Sequence, residues 1–255
     1  MPAESIVILG TAHAGPTLAV CNYLFERFPD CKIIYERPES RKGFLQRRIR
    51  KLGVLTVAGQ IAFQTLAVPL LKTLSASRIS RIKAEFGMCT VPIPGPVLSS
   101  LNSQATIDLI KTFNPACIVV AGTRILSSEF LQSFRCPLIN IHAGITPLYR
   151  GVHGAYWALA EKRPELCGVT VHRVDAGIDT GQVLAQEAFK PGPEDNFATY
   201  PWLQLGLGLR LLVRSLPDVI SGRATTSVPL TLESRLRTHP TIWGYGWRRI
   251  IHGVK

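Results

Sequence analysis

Residues 5–10, SIVILG, turn apolar after one polar position and open into a glycine-containing turn and the helical stretch TAHAGPTLAVCNYLFERF. A short apolar run followed by a turn and a helix predicts a strand buried on both faces, as in a parallel sheet. CKIIYER (31–37) repeats that signal, and so does ACIVVAG (116–122), with Asn114 and Pro115 stopping the helix before it. CPLINIH (136–142) reads as a further strand, GVHGAYWALAEK (151–162) as a helix and CGVTVHRV (167–174) as a strand. DAGIDTGQVLAQEAF (175–189) then gives a loop with a returning strand. Two stretches break the rhythm. Residues 45–86 read as a basic and apolar helical insertion, after which GMCTVPIPG (87–95) gives a short strand and a proline-rich loop. Residues 193–222 predict a long helix weakened by Gly206 and Gly208, and the tail after Arg223 reads as irregular. The fold class that follows is α/β: a Rossmann-like, doubly wound, mostly parallel sheet. The α/β domain occupies residues 1–200 with 45–86 inserted, and a C-terminal helix and tail, 201–255, pack on it.

Composition adds location and partner class. The 255 residues are 46% hydrophobic and 18% charged, as in folded globular chains, and the formal charge of +12 biases the surface toward anions. Much of that charge lies in Arg37 to Lys51 and near Arg235, Arg237, Arg248 and Arg249. Leu52 to Leu71 contain no charged residue over 20 positions, but Thr56, Gln60, Gln64, Thr65 and Pro69 argue against a bilayer span. A helix packed on the domain, or peripheral membrane contact through residues 41–72, fits better. Six cysteines without a C-x-x-C pair read as reduced core residues. The start MPAESIVILG lacks the basic and apolar regions of a signal peptide, so the expected location is cytoplasmic, with membrane-surface association as the variant.

In open α/β sheets ligands bind beyond the carboxyl ends of the strands, so AGTRIL, NIHAG and VDAGIDTG are expected on one rim. Asn140 and His142, two residues apart on an extended strand, project to the same side. An amide donor and an imidazole there suit the oxyanion of an acyl transfer to an amine. Asp179 on a neighbouring loop suits the amine's proton and the imidazole's charge. Singly, each motif is as well explained by a backbone-satisfied pair or a turn residue. GTAHAG (10–15) fits a phosphate at a helix N-terminus with His13 adding a contact, or only a turn. The spacing of His153, Cys167 and His172 matches no zinc pattern, and no metal is expected.

AGTRIL, INIHAGITPLYRG and GVTVHRVDAGIDTGQVLAQ, in that order, resemble the folate-dependent formyltransferase family over Gly87 to Phe189. That family includes glycinamide ribonucleotide, methionyl-tRNA and nucleotide-sugar formyltransferases. The resemblance implies catalytic Asn140, His142 and Asp179, and 10-formyltetrahydrofolate as formyl donor. It also implies a pterin site beside Arg124, Ile125 and Leu126, capped by the loop that starts Val174, Asp175, Ala176. His13, Arg150 and His153 are the candidate acceptor contacts. This sequence has GITP, Gly144 to Pro147, where the family usually has Ser-Leu-Leu-Pro, so the loop after His142 is expected to differ in shape. The glycinamide ribonucleotide phosphate loop and the tRNA enzymes' C-terminal barrel have no match. The expected reaction is therefore formyl transfer to a primary amine, preferably an amino-sugar nucleotide or related small anionic amine, with no nucleic-acid partner. The alternatives are a 10-formyltetrahydrofolate hydrolase and a non-catalytic folate-fold or membrane-associated binding protein.

Overall fold

The computed structural model describes residues 5–38, 41–226 and 233–255. In chain order it has β1 (Ile6–Thr11), α1 (Gly15–Phe25), β2 (Lys32–Glu36) and α2 (Arg41–Leu52). A 21-residue helix, Val54–Leu74, follows as α3 (Val54–Ala62), one wide turn (Phe63–Ala67) and α4 (Val68–Leu74). Next come α5 (Ala76–Glu85), β3 (Val97–Leu98), α6 (Gln104–Thr112), β4 (Cys117–Ala121), α7 (Ser128–Gln132) and β5 (Leu138–His142). The chain continues with β6 (Arg150–Gly151), α8 (Gly154–Ala160), β7 (Gly168–Arg173), β8 (Val183–Ala188), α9 (Tyr200–Ile220), β9 (Leu236–Arg237) and α10 (Ile242–His252).

The main sheet has the order β3-β2-β1-β4-β5-β7-β8, parallel from β3 to β5 and antiparallel at β7 and β8. This is the α/β, Rossmann-like, mostly parallel architecture the pattern predicts. Alternation along β1 sends Ile6 and Ile8 to one face and Val7 and Leu9 to the other. The first pair packs with α1 and α9, the second with Ile107, Ile110 and Phe130. α9 lies flush on the sheet because Gly206 leaves room for the Phe86 ring and Gly208 for Ile141 and Val169, whose nearest atoms are 2.3 Å and 2.4 Å from where a Cβ would stand. The two glycines that weaken the helix intrinsically are the ones that let it dock.

Three expectations are corrected. Residues 88–96 form no strand: Pro92, Pro94 and Pro96 lack the N–H a ladder needs, and pairing begins only at Val97. The tail is not irregular, since β9 pairs with β6 and α10 packs Tyr245 against Phe63 at 4.8 Å between ring centroids. The loop after β7 does not leave from the same rim as the other two. Arg173 lies opposite Ile139, near the start of β5, so residues 174–181 must fold back across the sheet face to reach His142. The wide turn at Phe63–Ala67 has a local cause in Pro69, which cannot donate to residue 65 and crowds its carbonyl.

Candidate active site

The site is built on the antiparallel pair β5 and β7. Asn140 and His142 share a face of β5, and the register sets His172 directly opposite Asn140. The returning loop brings Asp179 over them. Its Oδ2 is 3.3 Å from His142 Nδ1 and accepts from the Gly151 N–H at 2.9 Å, while its Oδ1 is 3.6 Å from His172 Nε2. The three residues of the expected trio thus converge, and His172 joins them.

Several contacts hold the loop there. Asp179 has a left-handed backbone, φ 52°, which an Asp tolerates better than a branched residue. Asp175 Oδ1 accepts from the Gly177 N–H and the Thr180 hydroxyl, closing the turn before it. Arg150 donates to the Ile178 carbonyl at 3.1 Å. Burial alone would raise the Asp179 pKa. The His142 hydrogen bond and charge, the nearby His172 ring and the Gly151 N–H outweigh it and hold the carboxyl ionised, well below the usual carboxylate range.

Each imidazole is oriented by a backbone carbonyl. His142 Nε2 donates to Tyr149 O at 2.7 Å, which turns Nδ1 toward Asp179. His172 Nδ1 donates to Arg173 O at 2.7 Å, so in the neutral ring Nε2 accepts from the Asn140 amide at 3.2 Å. One amide hydrogen of Asn140 is thereby fixed, and the other is aimed away from His172. The loop after His142 leaves no room for a side chain at Gly144: a Cβ there would stand 2.4 Å from Tyr149 O and 2.8 Å from His142 Nε2. The space a side chain would fill is occupied by the hydrogen bond that orients the His142 imidazole. Thr170 and Gln186 pin this loop, Thr170 by donating to Gly144 O at 2.7 Å and Gln186 by donating to Thr146 O at 2.8 Å.

At the end of β2, buried Glu36 accepts from both the Nε and the backbone N–H of Arg124 and so clamps the 122–126 loop. Asn102 adds a bond to Ile125 O, leaving the Ile125 side chain 67% exposed beside buried Leu126. Val174 donates to Leu138 O, and Asp175 and Ala176 are exposed. His13 is exposed, with φ 60°, just before α1. His153 is tied up elsewhere: its Nε2 is 2.9 Å from His239 Nδ1, which also meets Gln64 at 2.9 Å. Burial lowers His153 to about 3, and burial with the Arg48 charge lowers His239 to about 4. Sequence reasoning missed Glu36, Thr170, Gln186 and His239. A lone glutamate ending an apolar strand was the one available signal.

Residues 91–201 match the family model described as formyl transferase. The methionyl-tRNA formyltransferase of Thermodesulfovibrio yellowstonii is 31% identical over 60% of this chain and 48% of its own length. That of Myxococcus xanthus is 31% identical over 87% of this chain and 60% of its own. The chain therefore spans roughly half the length of such relatives. Among solved structures, glycinamide ribonucleotide transformylase 1 from Symbiobacterium toebii superposes with a TM-score of 0.56 at 16% identity, covering 92% of this chain and 94% of that one. A sugar N-formyltransferase from Shewanella gives 0.55 at 17%, covering 91% and 75%. The matched segment runs from the stretch before β3 to the start of α9 and contains Asp179 with Gly151, His142 and His172, which meet it, so the part of the chain that carries the site is the part that is similar to the formyltransferase family.

Proposed function

We propose that this chain transfers a formyl group from 10-formyltetrahydrofolate to a primary amine. The observation that carries the reading is the convergence of Asn140, His142 and Asp179 on one face of the sheet. When the amine nitrogen attacks the formyl carbon, the C=O electron pair moves onto oxygen. The second amide hydrogen of Asn140 and the Nδ1–H of a protonated His142 hold that oxygen. At 3.3 Å the Nδ1–H is only loosely engaged by Asp179, so it is the one to divert. Asp179, ionised and 13% exposed, takes the proton lost by the amine. Collapse of the tetrahedral adduct restores the carbonyl, breaks the bond from carbon to the donor's folate nitrogen, and returns a proton to that nitrogen.

The formyl donor supplies the activated carbonyl, and the chain supplies its berth. Arg124, Ile125 and Leu126 flank one side, with the exposed Ile125 side chain as an apolar surface for a flat ring, and Val174, Asp175 and Ala176 the other. The preferred acceptor is an amino-sugar nucleotide or related small anionic amine. The basic surface supports this, as does exposed His13 at the N-terminus of α1, where backbone N–H groups favour an anion. Arg150 and His153 we assign to holding the catalytic loop, since both are already bonded within the protein.

The test is to incubate the protein with 10-formyltetrahydrofolate and a panel of amino-sugar nucleotides and amino acids, reading formyl addition by mass spectrometry. A formylated amine supports the reading. Formate release at the same rate with and without amine makes the protein a hydrolase, and donor binding without either product makes it a binding protein.

A further inference from the structure

The Val54–Leu74 helix carries more exposed hydrocarbon than a surface helix of a water-soluble domain needs. Only 28% of its most apolar stretch is buried. One face, including Val57, Phe63, Val68 and Leu71, packs on the body. The opposite face shows Leu55 at 79%, Leu66 at 64%, Leu70 at 59% and Leu74 at 74% exposure, with Val54 and Ile61 on the same side. Val54 and Ile61 are seven residues apart, Leu66, Leu70 and Leu74 four apart, and the wide turn takes up the extra residue between Ile61 and Leu66, so these form one stripe at positions where a solvated helix carries charges.

A second helix repeats the pattern beside it. The Trp243 ring of α10 covers Gly59 so closely that a Cβ there would be 2.3 Å from it, and Arg249 shares a surface depression with Leu71 and Leu74. α10 therefore runs alongside α3 and α4. It exposes Trp243, Trp247, Ile250 and Ile251, at i, i+4, i+7 and i+8, with Ile250 81% exposed. Trp243 joins the two helices through Gly59 and is itself 56% exposed.

We infer that this two-helix face docks in the plane of an anionic lipid bilayer. The charge distribution selects that occupant. Arg50 and Lys51 precede the stripe, Lys72 lies in its last turn, and Arg249 and Lys255 line the depression at its far end, where Glu194 is already paired with Arg81. Both ends are basic, so stacking two copies face to face juxtaposes like charges whether they run parallel or antiparallel, whereas acidic headgroups neutralise both. Insertion across the bilayer is ruled out by the inner face. Gln60 is buried and donates to the His239 carbonyl at 2.7 Å, so the helix is part of the protein's packing and lies on the membrane. Tryptophans beside aliphatic residues suit the headgroup boundary. The face extends past residues 41–72 to include α10, and it does not depend on the formyl-transfer reading.

The experiment is co-sedimentation of the full chain with vesicles of phosphatidylcholine alone and of phosphatidylcholine containing a quarter phosphatidylglycerol. Binding to the anionic vesicles is expected to be about tenfold tighter or more, and to weaken with salt. The double variant Leu66→Glu/Leu70→Glu and, independently, Trp247→Glu/Ile250→Glu each lower it about tenfold or more. These positions are exposed, and unchanged far-ultraviolet circular dichroism and melting confirm the fold. Wild-type protein that stays in solution with both vesicles overturns the inference, as does unaltered binding by both variants. A dimer that these variants disperse, without vesicle binding, assigns the face to a second copy and also overturns it.

Discussion

Acidification is expected to destabilise the protein through two half-buried imidazoles outside the proposed catalytic trio. His153 and His239 face each other at 2.9 Å and join the loop after the active site to the Val54–Leu74 helix through Gln60 and Gln64. Their native pKa values are lowered to about 3 and about 4, while in the unfolded chain they titrate near ~6.5. Between those limits the unfolded state binds more protons, so their contribution to stability is complete above about pH 6.5 and is lost as pH falls toward about 4. From about pH 7.5 to about pH 5 each ring contributes a loss of about 2 kcal/mol, about 4 kcal/mol together. Urea unfolding at the two pH values, for the wild type and for His239→Gln, measures it. The variant removes one titrating ring, so its acid-induced loss is expected to be about half as large. Equal losses in the two proteins would refute the assignment of neutral, desolvated imidazoles.

Gly144→Ser, which introduces the serine that the resemblance leads one to expect, is expected to cost about 1–3 kcal/mol of stability and to slow formyl transfer, because its Cβ displaces either Tyr149 O or the His142 ring. Thermal melting and kcat read the two effects, and an unperturbed variant contradicts the packing argument. His172→Phe keeps the ring but frees the Asn140 amide to rotate. A fall in kcat of about tenfold is expected, with donor binding retained, since one oxyanion donor is misaligned rather than deleted. Glu36→Gln leaves the Arg124 guanidinium short of its buried counter-charge. It is expected to cost about 2 kcal/mol or more and to raise the KM for the formyl donor more than it lowers kcat.

The strands that carry the site were legible because SIVILG, ACIVVAG and CPLINIH are apolar runs with turns at their ends, and only a doubly covered sheet accommodates such runs. Asn140 and His142 shared a face by the two-residue period alone. Asp179 was legible as a suitable carboxylate on a neighbouring loop, but the path that returns it to His142 was not, because it depends on β7 running antiparallel and no local pattern encodes strand direction. His239 and Glu36 were invisible for a related reason. Their partners lie 86 and 88 residues away, and nothing near them in the sequence says they are buried. The helix α10 was missed because Gly244 and Gly246 depress its intrinsic propensity, and it is its packing on Gly59 and Phe63 that stabilises it.

Single-turnover formyl transfer by Asp179→Asn, measured beside its affinity for the donor, bears most directly on the site. Asn keeps the shape and the acceptor for the Gly151 N–H but removes the charge that engages His142 and receives the amine proton. A chemical step slowed by about 10²–10⁴, with donor binding within about threefold of wild type, is the result predicted. A variant that transfers formyl at the wild-type rate would mean that the convergence on Asp179 is not what performs the reaction.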